Sequence, residues 1–147
     1  MNKIATTDPG RYPFSHPIRV RWAEVDMQGV VFNGHYLTWF DIGMTEFLRL
    51  VFAQHGEHKD AFFNHLYVVR STIDYQRPAT FDDEVQIRVG IEALGRSSLN
   101  LGFAITRGDE VLVSGNSTYV LARDGRSEPI GEPVRSLLSA HLVRDGH

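Results

Sequence analysis

Two carboxylates, Glu24 and Asp26, stand in the run Trp22-Ala23-Glu24-Val25-Asp26-Met27-Gln28-Gly29-Val30-Val31-Phe32-Asn33-Gly34-His35-Tyr36, just ahead of a long apolar segment. A lone carboxylate acts as general base or nucleophile when it is held within hydrogen-bond reach of a reacting carbonyl. Free in water, with a pKa of about 3.9, an aspartate is a poor base, and apolar neighbours such as Val30, Val31 and Phe32 would raise that value. The first N–H groups of a helix lack partners and sit at its positive end. A helix opening directly after this loop can therefore stabilise negative charge developing on the same carbonyl. Losing such a donor costs roughly 3–4 kcal/mol in the barrier. Gly29 and Gly34 would let a ligand approach the backbone closely. By residue type alone, Asp26 also fits a turn or cap, and Glu24 fits a salt-bridge partner for an arginine.

The elements that must hold these groups can be read from periodicity. His16 to Val25 alternates, with Ile18, Val20 and Trp22 on one side and Arg19, Arg21 and Ala23 on the other, which predicts a half-buried strand. From Leu37 to about Phe52 the alternation stops. Thr38, Asp41, Thr45 and Arg49 form a thin polar stripe at helical spacing, with Glu46 beside it, and apolar residues fill the rest of the circumference. That pattern predicts a helix buried on most sides. Gly43 in its middle costs about 1 kcal/mol relative to alanine, so something should pack closely there. Asn33-Gly34 between apolar runs also permits a hairpin of Val30–Phe32 with His35–Phe40. After a polar break at Gln54–Asp60, four strands are predicted: Tyr67 to Gln76, Val85 to Ile91, Leu99 to Ile105 and Val111 to Leu121. Short joining segments imply antiparallel neighbours. Glu132 to Leu142 reads as a short surface helix. One strand, one apolar helix and four strands give an α+β domain, its helix packed on a curved antiparallel sheet. Such a sheet covers only one side of the helix, so a second copy of the chain is expected to cover the rest, as a homodimer.

The 147 residues fit one domain, and a net charge of −3 argues against a general nucleic-acid binder. The absence of cysteine removes disulfides, thiol catalysis and thiolate metal sites, and points to a cytoplasmic protein. No segment approaches the roughly 20 apolar residues that span a bilayer. The first residues lack the apolar core of a signal peptide and read as a loose arm. His55 and His58, with Glu57 and His65, have a spacing seen in metal sites, but no suitable fourth ligand stands out and no metal is expected. Neither a G-x-S-x-G elbow nor a nucleotide-binding glycine motif occurs.

The strand, the motif Asp26-x-x-Gly29-Val30-Val31-Phe32-Asn33-x-x-Tyr36, the buried helix and the four strands together resemble the hotdog-fold acyl-CoA thioesterases of the 4-hydroxybenzoyl-CoA thioesterase type. The resemblance runs from about Ile18 to Ala122, within a core of about residues 16–123. Tyr75-Gln76-Arg77-Pro78-Ala79 with Asp82-Asp83 looks like that family's second strand junction. It implies hydrolysis of an acyl-coenzyme A, with Asp26 as base or nucleophile and the backbone N–H of Asn33 polarising the thioester carbonyl. Gly29, Val30, Phe32 and Tyr36 would line the substrate site, and Asp41 and Thr45 would touch the acyl group across a dimer. Arg96, in the turn Leu94-Gly95-Arg96-Ser97, would meet the phosphates of coenzyme A, with Arg88 and Arg77 as helpers. No cofactor is implied beyond coenzyme A as part of the substrate, and the homodimer is expected to pair into a dimer of dimers. Many relatives carry His-Val-Asn-Asn where this chain has Val30-Val31-Phe32-Asn33, which leaves the acyl group open. A hotdog hydratase or dehydratase, or a non-catalytic acyl-CoA-binding domain, are the alternatives.

Overall fold

The computed structural model describes residues 9–143. Strand β1 (Phe14–Arg19) leads through a 3-10 turn at Trp22–Glu24 to helices α1 (His35–Val51) and α2 (Gly56–Asn64). Strands β2 (Leu66–Tyr75), β3 (Glu84–Leu94), β4 (Ser98–Arg107), β5 (Glu110–Arg123) and β6 (Arg126–Ser127) follow, and α3 (Val134–Ser139) closes the described chain. All neighbouring strands are antiparallel, in the order β1-β3-β4-β5-β2, with β6 added to β5. The sheet curls into a half-barrel.

Alternation decides which face of the sheet is apolar. Ile87, Val89 and Ile91 of β3 stand in register with Ile105, Phe103 and Leu101 of β4, Val85 of β3 pairs with Ile18 of β1, and the β3 and β4 residues are all buried. Onto this face α1 presses Trp39, Phe40, Phe47 and Leu48, and Phe40 stacks on Phe103 with ring centroids 4.4 Å apart. Each such side chain contributes roughly 1.5–3 kcal/mol by leaving water. The helix reaches the sheet at Gly43, where an added Cβ would lie 2.4 Å from Cγ2 of Ile87. Helix α1 lies across β1, β3 and β4. It is 17 residues long, close to the helix expected over Leu37 to about Phe52.

Several boundaries differ from the sequence reading. The helix prevails over the hairpin alternative, and Asn33-Gly34 forms the turn that enters α1. The first strand ends at Arg19 rather than Val25, because the Glu24 carboxylate accepts the Arg21 backbone N–H (2.8 Å) and closes a 3-10 turn. Trp22 is thereby turned outward and is 75% exposed. The stretch read as a polar break, Gln54–Asp60, contains the first residues of α2, whose apolar signal is weak because only Phe62 in it is buried. The final helix is shorter than Glu132–Leu142.

Candidate active site

Asp26 sits at the base of a tight hairpin. Its N–H donates to the Val30 carbonyl (2.9 Å), its own carbonyl accepts from Gly29 N–H (3.0 Å), and Val25 bridges Val31. Gly29 has φ of +81°, a conformation that favours glycine, and this turn requires it. Oδ1 of Asp26 accepts the Gln28 N–H at 2.8 Å, which fixes the side chain and leaves its second oxygen free. Bridge parity places Asp26, Val30 and Phe32 on one side of the hairpin, opposite Val25 and Val31. Val31 packs into the core, whereas Phe32 is 58% exposed. The apolar wrapping expected around Asp26 is therefore absent in the protomer, where the residue is exposed.

The hairpin runs directly into α1. His35 N–H donates to the Phe32 carbonyl (3.0 Å) and Tyr36 N–H to that of Asn33 (3.3 Å). The N–H groups of Asn33 and Gly34 have no hydrogen-bond partner among the described residues. Both lie in the turn just ahead of α1, Gly34 being its N-cap. The hydroxyl of Tyr75, on β2, donates to the Asn33 carbonyl at 3.4 Å. The sequence reading named Tyr75 only as the first residue of the second junction and gave it no role in the site.

Tyr36 is fully buried. Its hydroxyl accepts the Ala79 N–H at 3.0 Å, and Ala79 in turn accepts the Val31 N–H at 2.9 Å, so Tyr36 ties the second junction to the helix and does not open its hydroxyl to solvent. Burial pushes the Tyr36 phenol up from its ordinary pKa. Glu24 is only 3% exposed and accepts hydrogen bonds from Arg21 and from the indole N–H of Trp39 (2.8 Å). Burial opposes its ionisation, but the bonds from Arg21 and Trp39 outweigh it and hold the carboxyl below its usual range.

The remaining residues named from the sequence lie along and beyond the helix. Among the described residues the Asp41 carboxylate has no hydrogen-bond partner, and partial desolvation pushes that group up. Tyr119 lies near enough that its phenol, already raised by burial, is raised further by the Asp41 charge. Thr45 donates its hydroxyl to the Asp41 carbonyl (2.9 Å) and lines a groove of about 410 Å³ with Arg49, Lys59 and Phe63. Arg96 projects unpaired from the β3–β4 turn, whose carbonyls at Gly95 and Arg96 accept Arg135 Nη2 at 2.6 and 3.1 Å. The whole length of β3 separates this turn from the Asp26 loop of the same protomer, about 33 Å of extended chain. Arg88 instead reaches Thr106 and the Tyr12 carbonyl, and Arg77 pairs with Glu110 at 2.9 Å. His55 and His58 have ring centroids 6.1 Å apart, and no group of three or more potential metal ligands occurs among the described residues.

Comparison with known proteins agrees with this architecture. The profile of the Thioesterase superfamily matches residues 28–114. The acyl-CoA thioester hydrolase YbgC of Escherichia coli is 28% identical over 114 residues, covering 76% of this chain and 82% of its own. The acyl-CoA thioesterase YbgC of Haemophilus influenzae is 28% identical, covering 89% and 96%. Among solved structures, a thioesterase from Thermus thermophilus complexed with coenzyme A and zinc superimposes with a TM-score of 0.76 at 27% identity, over 89% of this chain and 95% of that one. The half-barrel and these relatives define a hotdog-fold enzyme of the hydrolase class. The chain belongs to the Thioesterase superfamily.

Proposed function

We propose that the protein hydrolyses an acyl-coenzyme A thioester to the free acid and coenzyme A, with Asp26 as the general base or nucleophile. The observation that carries this reading is the hairpin that leads from a carboxylate with one free oxygen into the unpaired N–H groups of Asn33 and Gly34. In the general-base form, Asp26 takes a proton from water as the water oxygen bonds to the carbonyl carbon. The Asn33 N–H stabilises the oxyanion, the C–S bond breaks, and the departing thiolate takes up a proton. Gly29, Val30 and Phe32 border the reacting group, while Tyr36 acts from beneath by fixing the junction. The substrate supplies its own coenzyme A, and the reading calls for no other cofactor. Relatives named as acyl-CoA thioesterases, and one solved with coenzyme A bound, support the substrate class.

The working unit in this reading is a homodimer. Strand β2 is an edge with Tyr67, Val68 and Val69 at 55, 58 and 60% exposure. A long apolar edge of this kind requires a cover. Two β2 strands paired antiparallel about a two-fold axis bring the Asp26 end of one protomer beside the Arg96 end of the other. Asp41 and Thr45 then face the acyl group, and Arg96 faces the phosphates of a substrate held at the opposite Asp26. Sedimentation velocity would test the dimer and the expected dimer of dimers together. No helix among the described residues is long and apolar enough to cross a membrane. The cysteine-free chain is assigned to the cytoplasm on the same reading.

The test is release of free thiol from a panel of short, long, branched and aromatic acyl-CoAs. Asp26→Asn removes a charge and almost no volume, so kcat should fall by two or more orders of magnitude with substrate binding mostly retained. Unchanged turnover in that variant refutes the assignment. Release confined to hydroxyacyl or enoyl substrates would indicate a dehydratase, and binding without release a non-catalytic domain.

A further inference from the structure

We propose that Glu24 is a positioning residue: it clamps the Asp26 hairpin to helix α1, so that the carboxylate and the helix-start N–H groups keep one separation through turnover. This inference rests on the reading of Asp26 given above. Asp26 and the N–H groups belong to different elements, and a shift of about 1 Å between them can cost on the order of 100-fold in rate. Glu24 stands where the two elements meet. Its backbone carbonyl accepts the N–H of Phe32, on the far side of the hairpin, at 3.0 Å. Its side chain accepts the Trp39 indole N–H at 2.8 Å, the Arg21 backbone N–H at 2.8 Å and Arg21 Nη2 at 2.9 Å. Trp39 lies one turn into α1, is fully buried, and packs edge-on against Tyr36 at 5.1 Å. Tyr36 holds Ala79, and Ala79 holds Val31 of the same hairpin. The contacts form a closed circuit at the base of the Asp26 hairpin, and Glu24 is its one buried charge.

A salt bridge for stability does not account for this arrangement. Arg21 is 71% exposed, so its attraction is screened, and the burial of the Glu24 carboxylate is offset only by the hydrogen bonds it accepts from Arg21 and Trp39 together. An apolar residue at this place alone would strand the buried Trp39 indole N–H and the Arg21 backbone N–H, so Glu24 also contributes to folding, and its role in turnover has to be read from kcat rather than from stability. What a buried carboxylate adds is short, charge-assisted bonds to three donors on two elements, and such bonds fix direction as well as distance.

The test is a double-mutant cycle. Glu24→Gln preserves volume but presents an amide to donors that need an acceptor, and Trp39→Phe removes one donor while leaving the charge. Each variant is assayed by thiol release well below its own melting temperature. Each single variant should lose roughly 10- to 100-fold in kcat, with KM changed by less than about threefold. Because the two residues act through one contact, the double variant should lose much less than the product of the single losses. A merely structural role lowers the melting temperature but leaves kcat of the folded protein intact. Turnover of folded Glu24→Gln within about twofold of wild type overturns the inference, as does multiplication of the two losses. If Glu24→Gln does not fold, Trp39→Phe carries the test alone: an unchanged kcat overturns the proposal, and a fall in kcat at constant KM supports it. A wild-type protein that releases thiol from no acyl-CoA would instead remove the underlying reading of Asp26.

Discussion

Gly43→Ala sets two physical effects against each other within one helix. In an isolated helix the change would stabilise by about 1 kcal/mol, since alanine loses less backbone entropy. In this fold the new methyl would stand 2.4 Å from Cγ2 of Ile87 and 3.0 Å from Cγ2 of Val89. Carbon atoms prefer roughly 3.5–4.0 Å, so the closer contact is short by about 1 Å. Neither neighbour can swing away, because β-branched side chains are stiff at χ1. Helix α1 must therefore lift from the sheet, and overpacking of this kind costs about 1–3 kcal/mol. Taking the upper end for a contact this short and subtracting the propensity gain leaves a net loss of about 2 kcal/mol. For a chain of this size the melting temperature should fall by about 4–8 °C. Thermal and urea unfolding followed by far-ultraviolet circular dichroism, at one fixed protein concentration, measures the change. Gly56→Ala is the control: Gly56 opens α2 with no atom within 4 Å of an added Cβ, so its stability should hold or rise by up to about 1 kcal/mol. A Gly43→Ala protein as stable as wild type would show that close approach at this point is not what requires glycine.

Further predictions concern charge and assembly. Burial pushes the Asp83 carboxyl up, but Thr80 and Arg107 (2.7 Å) outweigh it and hold the group below its ordinary 3.8. A depressed carboxylate contributes stability above its unfolded pKa and loses it as pH falls through the folded value, so Asp83→Asn should flatten the acid limb of stability below about pH 4, measured by urea midpoints. Arg96→Ala should raise KM for acyl-CoA roughly tenfold but leave KM unchanged for an acyl-pantetheine lacking the nucleotide, and equal effects on both would refute the phosphate role. Val69→Asp, placing a charge on the exposed β2 edge, should turn the dimer into a less active monomer by sedimentation velocity; a fully active wild-type monomer would remove the need for a partner.

Where residue type and period coincided, the sequence alone was sufficient. Four strands were legible because side chains on a half-buried sheet alternate with a period of two, and α1 because a polar stripe recurred at helical spacing around Thr38, Asp41, Thr45 and Arg49. The need for close packing at Gly43 was legible from its cost in a helix. The Asp26 loop was visible as a motif, since a glycine three residues after an aspartate marks the turn that the backbone makes there. Helix α2 was not legible, because one buried phenylalanine leaves almost no periodic signal. The end of β1 was missed because the turn after it is closed by the Glu24 side chain, five residues past the strand's end. Only the tertiary structure decided that Glu24 is buried against Trp39, that Tyr36 spends its hydroxyl on Ala79, and that Arg96 stands at the far end of the sheet from Asp26. Each of these depends on which elements meet in space. Local pattern fixes the direction in which a side chain points, but the partner it meets is set by long-range packing.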